Sequence, residues 1–326
     1  MLIIDAETVR TLYTMDRAIA AMRLAFVRLA EGQVTQPPRL MAALSRQNTL
    51  ALMPAEVIGE SLGVKLVTIF PGNVAAQRSP HSLLVTMFDA NDGRLTSIID
   101  GAELTAIRTA ATSAVATDLL ARPDSTTLAV LGAGVQARAH LRAMAAVRPI
   151  ATARVWSRRP ERAAEVATWA AAELDLDCRP APDPATAMAG ADILCTATAS
   201  SEPIVTAAML GPGIHINAVG ASFPSHRELS GAAVAAASVF VDSHEAARRE
   251  AGDLVLAAAD GNFDLDRIRG ELGDLLLDRC AGRRSDLEIT LFKSVGAAIQ
   301  DVQSGAAVEA LARSAGAAVV EIPIGA

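Results

Sequence analysis

Residues 128–141, LAVLGAGVQARAHL, hold the feature that most restricts what this chain can fold into. A short apolar run stops at two glycines one residue apart, and a helix-forming stretch follows. Gly132-Ala133-Gly134-Val135-Gln136-Ala137 has the spacing GxGxxA. In a strand–turn–helix unit each small residue has a task. Gly132 makes the tight turn, Gly134 lets a pyrophosphate approach the main chain, and Ala137 lets the helix pack close to the sheet. The first N–H groups of the helix then face the phosphate oxygens. Alone such a turn is a weak signal. Here it has a strand before it, a helix after it and a second strand-like segment, ARVWS, about twenty residues on.

That second segment ends VWSRRPERA. A site for NAD calls for Asp or Glu there, on the ribose 2′-hydroxyl. Ser157, Arg158 and Arg159 stand in its place. A hydroxyl and two guanidinium groups suit a 2′-phosphate, so NADPH is the expected cofactor, with NADH possible. The plain alternative is two solvated arginines at a helix start, where positive charge is otherwise unhelpful.

From about residue 126 onward, short strands alternate with helices: TTLAVLG, ARVWS, ADILCTAT, GIHINAVG and ASVFVDS carry the strand signal. That rhythm implies a parallel sheet wound with helices on both faces. The region before it differs. DRAIAAMRLAFVRLAE reads as a helix with Asp16 as N-cap and Gly32 as stop. LGVKLVTIFPGN and SLLVTMFDANDGRLTSII read as strands, the second a hairpin turning at NDG. DGAELTAIRTAATSAVATDLLA reads as an amphipathic helix, and DLEITLFKSVGAAIQDV as the last helix-like stretch. The expected class is therefore α/β. Residues 122–301 form a Rossmann-type domain, and residues 1–121 plus 302–326 form an α+β substrate-binding and dimerisation domain.

The 326 residues are 51% hydrophobic with a formal net charge of −7. Nothing in that balance favours nucleic acid, and there is no run of Lys or Arg. Cys178, Cys195 and Cys280 lie far apart without a CxxC, which argues against zinc and against a disulfide framework. Cys195 in ADILCTATA reads as core. The histidines fall in no metal-ligand spacing, so no metal is expected. The N-terminus has no signal-peptide pattern and no apolar run reaches a membrane span, so a cytoplasmic protein without a membrane partner is expected.

Five segments in order, GVKLVTIFPGN, DGAELTAIRTAATSA, LAVLGAGVQARAH, NAVGASFPSHREL and LEITLFKSVGAAIQDV, resemble the ornithine cyclodeaminase/μ-crystallin family. AIRTAATSA and FKSVG are more specific than the glycine turn. The resemblance implies a homodimer acting on small α-amino or α-imino acids, with the substrate carboxylate held by basic side chains. It assigns Arg108 to grip that carboxylate, Lys65 to lie near the reacting carbon and the carboxylate, Arg39 as a further ligand and Ser82 as a polar contact. Lys65 and Arg108 also interrupt apolar stretches, where a charge usually has a partner or a function. The expected cofactor contacts are Gly132, Ala133, Gly134, Val135 and Gln136 of the turn, Ser157, Arg158 and Arg159 after the second strand, and Thr196, Ala197, Val219 and Lys293.

The segment AVGASFPSHREL discriminates within the family. Cyclodeaminases resembling this chain carry an aspartate there as the acid/base. This chain has Ser222, whose hydroxyl is no general base without help. A serine in that loop resembles the reductase branch, which reduces cyclic ketimines. Ser222 and Lys65 are thus the candidate catalytic residues. His226 either relays a proton or is an exposed loop histidine. The expected reaction is reduction of Δ1-pyrroline-2-carboxylate to L-proline and of Δ1-piperideine-2-carboxylate to L-pipecolate. The alternatives are ornithine cyclodeamination or alanine-type dehydrogenation on the same scaffold, and a non-catalytic NADPH-dependent binding protein.

Overall fold

A computed structural model describes residues 1–316, with Val74 and Ala75 as backbone only, and the backbone of Val320–Glu321. Residues 317–319 and 322–326, part of the apolar tail, lie outside the described residues. In chain order the first elements are β1 (Leu2–Ile4), α1 (Ala6–Leu12), α2 (Met15–Ala30), β2 (Val34–Thr35), β3 (Leu40–Ala43), β4 (Thr49–Val57), β5 (Ser61–Ile69), β6 (His81–Phe88), β7 (Leu95–Asp100) and α3 (Gly101–Leu120). There follow β8 (Thr127–Leu131), α4 (Val135–Val147), β9 (Thr152–Trp156), α5 (Pro160–Leu174), β10 (Asp177–Pro180), α6 (Pro184–Met188), β11 (Ile193–Thr196) and β12 (His215–Ala218). The chain continues through α7 (Gly231–Ala235), β13 (Ser238–Val241), α8 (His244–Glu250), α9 (Gly252–Ala259), β14 (Gly270–Glu271), α10 (Leu272–Leu276), β15 (Thr290–Lys293), α11 (Ala298–Ala315) and β16 (Val320–Glu321).

The chain forms two compact units, Met1–Thr109 with Ala297–Ala326, and Ala110–Gly296. The expected divisions at 121/122 and 301/302 fall elsewhere. The first division lies inside α3, because one continuous helix passes from one unit into the other. The second lies at the start of α11 rather than within it.

In the first unit the sheet order is β16-β1-β7-β6-β5-β4-β2, with β3 also paired to β4. β4, β5, β6 and β7 pair antiparallel in succession. Burial alternates along β4 and β5, as period 2 requires for a sheet with one covered face. α11 packs on β4, β5 and β6 and against α2. A Cβ on Gly305 of α11 would stand 2.5 Å from Met87 Sδ, so the helix lies close against the sheet there. The β6–β7 turn holds Asn91-Asp92-Gly93. Asp89 accepts the Asn91 N–H, and Gly93 has a φ of +74°.

The second unit carries an all-parallel sheet in the order β10-β9-β8-β11-β12-β15-β13-β14. The four residues each of β11, β12 and β15 are all buried, as a sheet covered on both faces demands. Strand order reverses between β8 and β11, which places the topological switch point beside the glycine turn.

Three local expectations change. TLFK, read as part of the last helix, is β15, a central strand. A four-residue apolar run cannot be told from a helix segment by periodicity. α3 is not amphipathic, since residues 110–117 are all buried. A helix buried all round needs no polar face. The cap of α2 is Thr14 rather than Asp16, which instead lies in the first turn, where its charge favours the helix N-terminus.

Candidate functional site

The second unit carries the candidate dinucleotide seat. Gly132 leaves β8 with φ +124°, a conformation L side chains rarely adopt, and a Cβ there would lie 2.5 Å from the Ala197 carbonyl oxygen. Its N–H donates to the Trp156 carbonyl at the end of β9. Gly134 is the N-cap of α4, and nothing lies within 4 Å of where its Cβ would be. Ala133 and Gln136 are half-buried, Val135 is exposed, and Ala137 is fully buried against the sheet. A closed strand side, an open space over Gly134 and a helix N-terminus behind it fit a pyrophosphate. At the end of β9, Ser157 accepts the Arg159 N–H. Arg158 and Arg159 are exposed at the start of α5. No ion pair to either is found among the described residues.

Across the switch point, one buried carboxylate ties two loops together. Glu228 accepts hydrogen bonds from the Thr196 hydroxyl (2.6 Å) and the Gly220 N–H (2.8 Å) on one oxygen. The other oxygen accepts from the Thr198 N–H (2.6 Å) and hydroxyl (2.7 Å). Ala197 and Val219, half-buried, are therefore held in segments that Glu228 pins. A Cβ on Gly220 would strike both the Thr198 carbonyl and the Glu228 carboxylate. Asp253 accepts the Glu228 and Leu229 N–H groups, and its other oxygen is 3.1 Å from Lys293 Nζ. Burial and the Asp253 charge raise the Glu228 pKa, opposed by Lys293 and the two hydroxyls. The structure brings Lys293 to Asp253, and its side chain has no exposed surface on which to meet a cofactor. Lys293 is thus moved from the cofactor contacts to this buried cluster, because it ends a strand covered on both sides. Glu228 and Asp253 were missed by sequence reasoning; Asp253 interrupts an apolar stretch as Lys65 does, whereas Glu228 stands in the polar segment SHRELS.

Ser222 lies half-buried on the loop after β12, two residues beyond Gly220, whose carbonyl accepts its N–H. No hydrogen bond to its hydroxyl is found among the described residues. His226 pairs with Ser225 through Nδ1 at 3.0 Å and its ring lies 5.9 Å from that of Phe223.

The first unit holds a second charge cluster. Lys65, mid-strand in β5, is 3% exposed and Arg108, in α3, is 4% exposed. Both meet Asp301 of α11. Lys65 Nζ is 2.8 Å from Oδ2, and Arg108 Nε donates to Oδ1 at 2.9 Å. Arg108 also donates to Gln300 Oε1 at 2.6 Å, an oxygen that accepts the Ala297 N–H at the helix start. Burial, then the positive charge of Arg108, pull the Lys65 pKa down to about 8, with Asp301 opposing. Arg39 adds a further downward push, so its charge faces the same cluster. It stands one residue before Leu40, which pairs with Leu52, next to the Met53 that pairs with Lys65. Ser82 is not brought there. Lys65 pairs with Val85, and Ser82 lies three positions along β6, paired with Thr68. An odd offset puts its side chain on the opposite face of the sheet, about 10 Å along the strand. Asp301 and Gln300 are the residues sequence reasoning missed here. No cluster of His, Cys, Asp and Glu able to hold a metal is found among the described residues.

The sequence profile of the ornithine cyclodeaminase/mu-crystallin family matches residues 1–315. The chain belongs to that family. A Δ(1)-pyrroline-2-carboxylate reductase of Bacillus cereus is 37% identical over 305 residues, covering 93% of this chain and 94% of that one. The ketimine reductase mu-crystallin of Mus musculus is 38% identical over 275 residues, 83% of each chain. Among solved structures, the Thermococcus litoralis Δ(1)-pyrroline-2-carboxylate reductase in complex with NADH and L-proline superposes with a TM-score of 0.95. It is 31% identical and covers 99% of this chain and 100% of that one. An archaeal alanine dehydrogenase dimer with bound NAD gives 0.91 at 29% identity, covering 98% and 99%.

Proposed function

We propose that this member of the family is an NAD(P)H-dependent reductase of cyclic ketimines, converting Δ1-pyrroline-2-carboxylate to L-proline and Δ1-piperideine-2-carboxylate to L-pipecolate. The observation that carries it is the buried Lys65–Arg108 pair, two cations against one carboxylate, in a chain with a hydroxyl at position 222. An anionic substrate offsets the excess positive charge there. Arg108 offers a planar fork for the substrate carboxylate and Lys65 a compact charge beside it, with Arg39 as a further cation. When bound, the reduced nicotinamide supplies the hydride. Addition at C2 moves the C=N electron pair onto nitrogen, and a protonated imine thereby becomes the amine with no base required. Ser222 hydrogen-bonds that nitrogen or a water beside it, while Lys65 holds a proton for an imine that arrives neutral. Ornithine cyclodeamination asks for an acid/base at the same place, and a serine hydroxyl does not ionise near neutrality.

NADPH is the preferred cofactor, supported by Ser157 and the two exposed arginines, Arg158 and Arg159. A homodimer is supported by the exposed apolar side chains of the first unit, Leu40, Met41, Leu44 and Ile58, and by the archaeal neighbour being a dimer. Three free cysteines suit a reducing cytoplasm. No helix among the described residues is long and apolar enough to cross a membrane. The test follows NADPH absorbance in purified protein with each cyclic imine, and proline and ammonia from L-ornithine with NAD. Oxidation with the imines and silence with ornithine is the expected result. Ammonia from ornithine, or silence with every substrate, would overturn it.

A further inference from the structure

We infer that Asp301 is a positioning residue of this site, whose carboxylate sets the Lys65 ammonium and the Arg108 guanidinium side by side and keeps Lys65 charged for the substrate. The inference rests on the reductase function proposed above and adds a residue to it. Two buried cations on different elements repel each other, and neither a strand nor a helix backbone fixes the gap between their tips. Asp301 does so by taking one cation on each oxygen, at 2.8 Å and 2.9 Å. It is itself fully buried, in the first turn of α11. Gln300 stiffens the same turn, since one side-chain oxygen both caps the helix start and accepts from Arg108. One turn further along α11, Ser304 accepts the Tyr13 hydroxyl at 2.8 Å, so a buried ring closes the cluster from the end of α1. Of the charged groups that act on Lys65, Arg108 from α3 and Arg39 before β3 disfavour its charge, and Asp301 from α11 favours it.

Lys65 and Arg108, with Arg39 nearby, leave positive charge in excess around the Asp301 carboxylate. A substrate carboxylate offsets that excess without displacing Asp301, because Lys65 Nζ keeps further N–H donors beyond the one facing Asp301. Asp301 touches no reacting atom in this scheme. Its loss is therefore read through Lys65.

The experiment is a pH series of steady-state kinetics with NADPH and Δ1-pyrroline-2-carboxylate on wild type, Asp301→Asn and Asp301→Glu. NADPH binding by fluorescence and L-proline affinity across the same pH range are measured on each, so that folding and charge are read without turnover. The wild-type profile is expected to fall on its basic side near pH 8. In Asp301→Asn that limb moves to lower pH by about one unit or more, and KM for the imine rises about tenfold. Asp301→Glu keeps the limb and raises KM less. A wild type that binds L-proline without reducing either imine would overturn the reductase function alone, and the affinity profiles would still decide on Asp301. An Asp301→Asn protein that binds NADPH and keeps the wild-type limb and KM would overturn the positioning role. If Asp301→Asn fails to bind NADPH, the decision passes to Asp301→Glu, and a limb displaced from the wild-type position would overturn it.

Discussion

The molecule carries two fully buried three-charge clusters, and they are mirror images in sign. Lys65, Arg108 and Asp301 set two cations against one anion in the first unit. Glu228, Asp253 and Lys293 set two anions against one cation in the second. Their surroundings differ more than their charges. Glu228 accepts four hydrogen bonds and Asp253 accepts two backbone N–H groups besides its lysine, so the excess negative charge is spread over neutral donors. The Lys65 ammonium meets Asp301 as its one carboxylate among the described residues, and burial drags its pKa to about 8. Lys293 Nζ meets only Asp253 among the described residues, so the clusters differ in the sign of the excess charge: protein N–H and O–H groups meet the anionic excess of the second, whereas the cationic excess of the first suits an anionic ligand.

Matched substitutions of the two lysines should separate these roles most sharply. Lys65→Met is expected to lower kcat/KM for the imine by roughly a thousandfold or more, since clamp and proton are lost together. Yet it should leave the unliganded fold as stable as wild type, or more stable by about 1–3 kcal/mol. The pH dependence gives the sign. Lys65 is depressed in the folded state from 10.5 to about 8. The folded chain therefore binds fewer protons than the unfolded chain between those values. Its burden on stability is complete below pH 8 and is relieved as pH rises toward 10.5. Lys293→Met should do the reverse, lowering stability by about 3–5 kcal/mol because two buried carboxylates lose the cation beside them. Urea denaturation and kinetics on both variants check the pair, and equal stability losses would erase the distinction.

Glu228→Gln sharpens the second cluster. An amide nitrogen must then confront at least one of the donors that now point at a carboxylate oxygen, which costs about 1–3 kcal/mol. Because the Thr198 and Gly220 segments flank the switch point, NADPH affinity should fall by about tenfold or more in equilibrium titrations while the imine KM changes less. Gly132→Ala joins a strained φ of +124° to a contact of 2.5 Å with Ala197. It should weaken NADPH binding and stability together, by roughly 2 kcal/mol in each, visible in Tm and in cofactor titration. The smallest effect belongs to the exposed pair Arg158 and Arg159. Their joint replacement by Ala should reduce the NADPH-to-NADH preference by about tenfold and leave NADH kinetics almost unchanged.

Much of this was legible in the sequence. GxGxxA in its strand–helix setting, the alternating rhythm after residue 126 and the NDG turn depend on local chemistry, which a linear string records. Lys65 and Arg108 could be singled out because a charge inside an apolar stretch needs a reason. The same rule applied to carboxylates would have found Asp253 in AGDLVLA and Asp301 in AAIQDV, but not Glu228, which stands among polar neighbours in SHRELS. What stayed hidden depends on pairing across the fold. Ser82 falls on the wrong face because strand register decides parity, and register is not local. TLFK becomes a central strand only because β12 and β13 leave a gap between them. Lys293 then loses its access to a cofactor with that placement.

That late strand has a consequence for the way the chain comes off the ribosome. β15 is the last strand of its sheet in sequence but lies inside it, between β12 and β13. Until residues 290–293 have been synthesised, both neighbours keep open edges able to pair with other nascent chains. The two charge clusters share the delay. Lys293 completes one and Asp301 the other, eight residues apart and after every group they neutralise has been made. Neither half of the molecule can settle early, and a ribosome that stalls before this stretch would release a chain with both sets of buried charges unmatched.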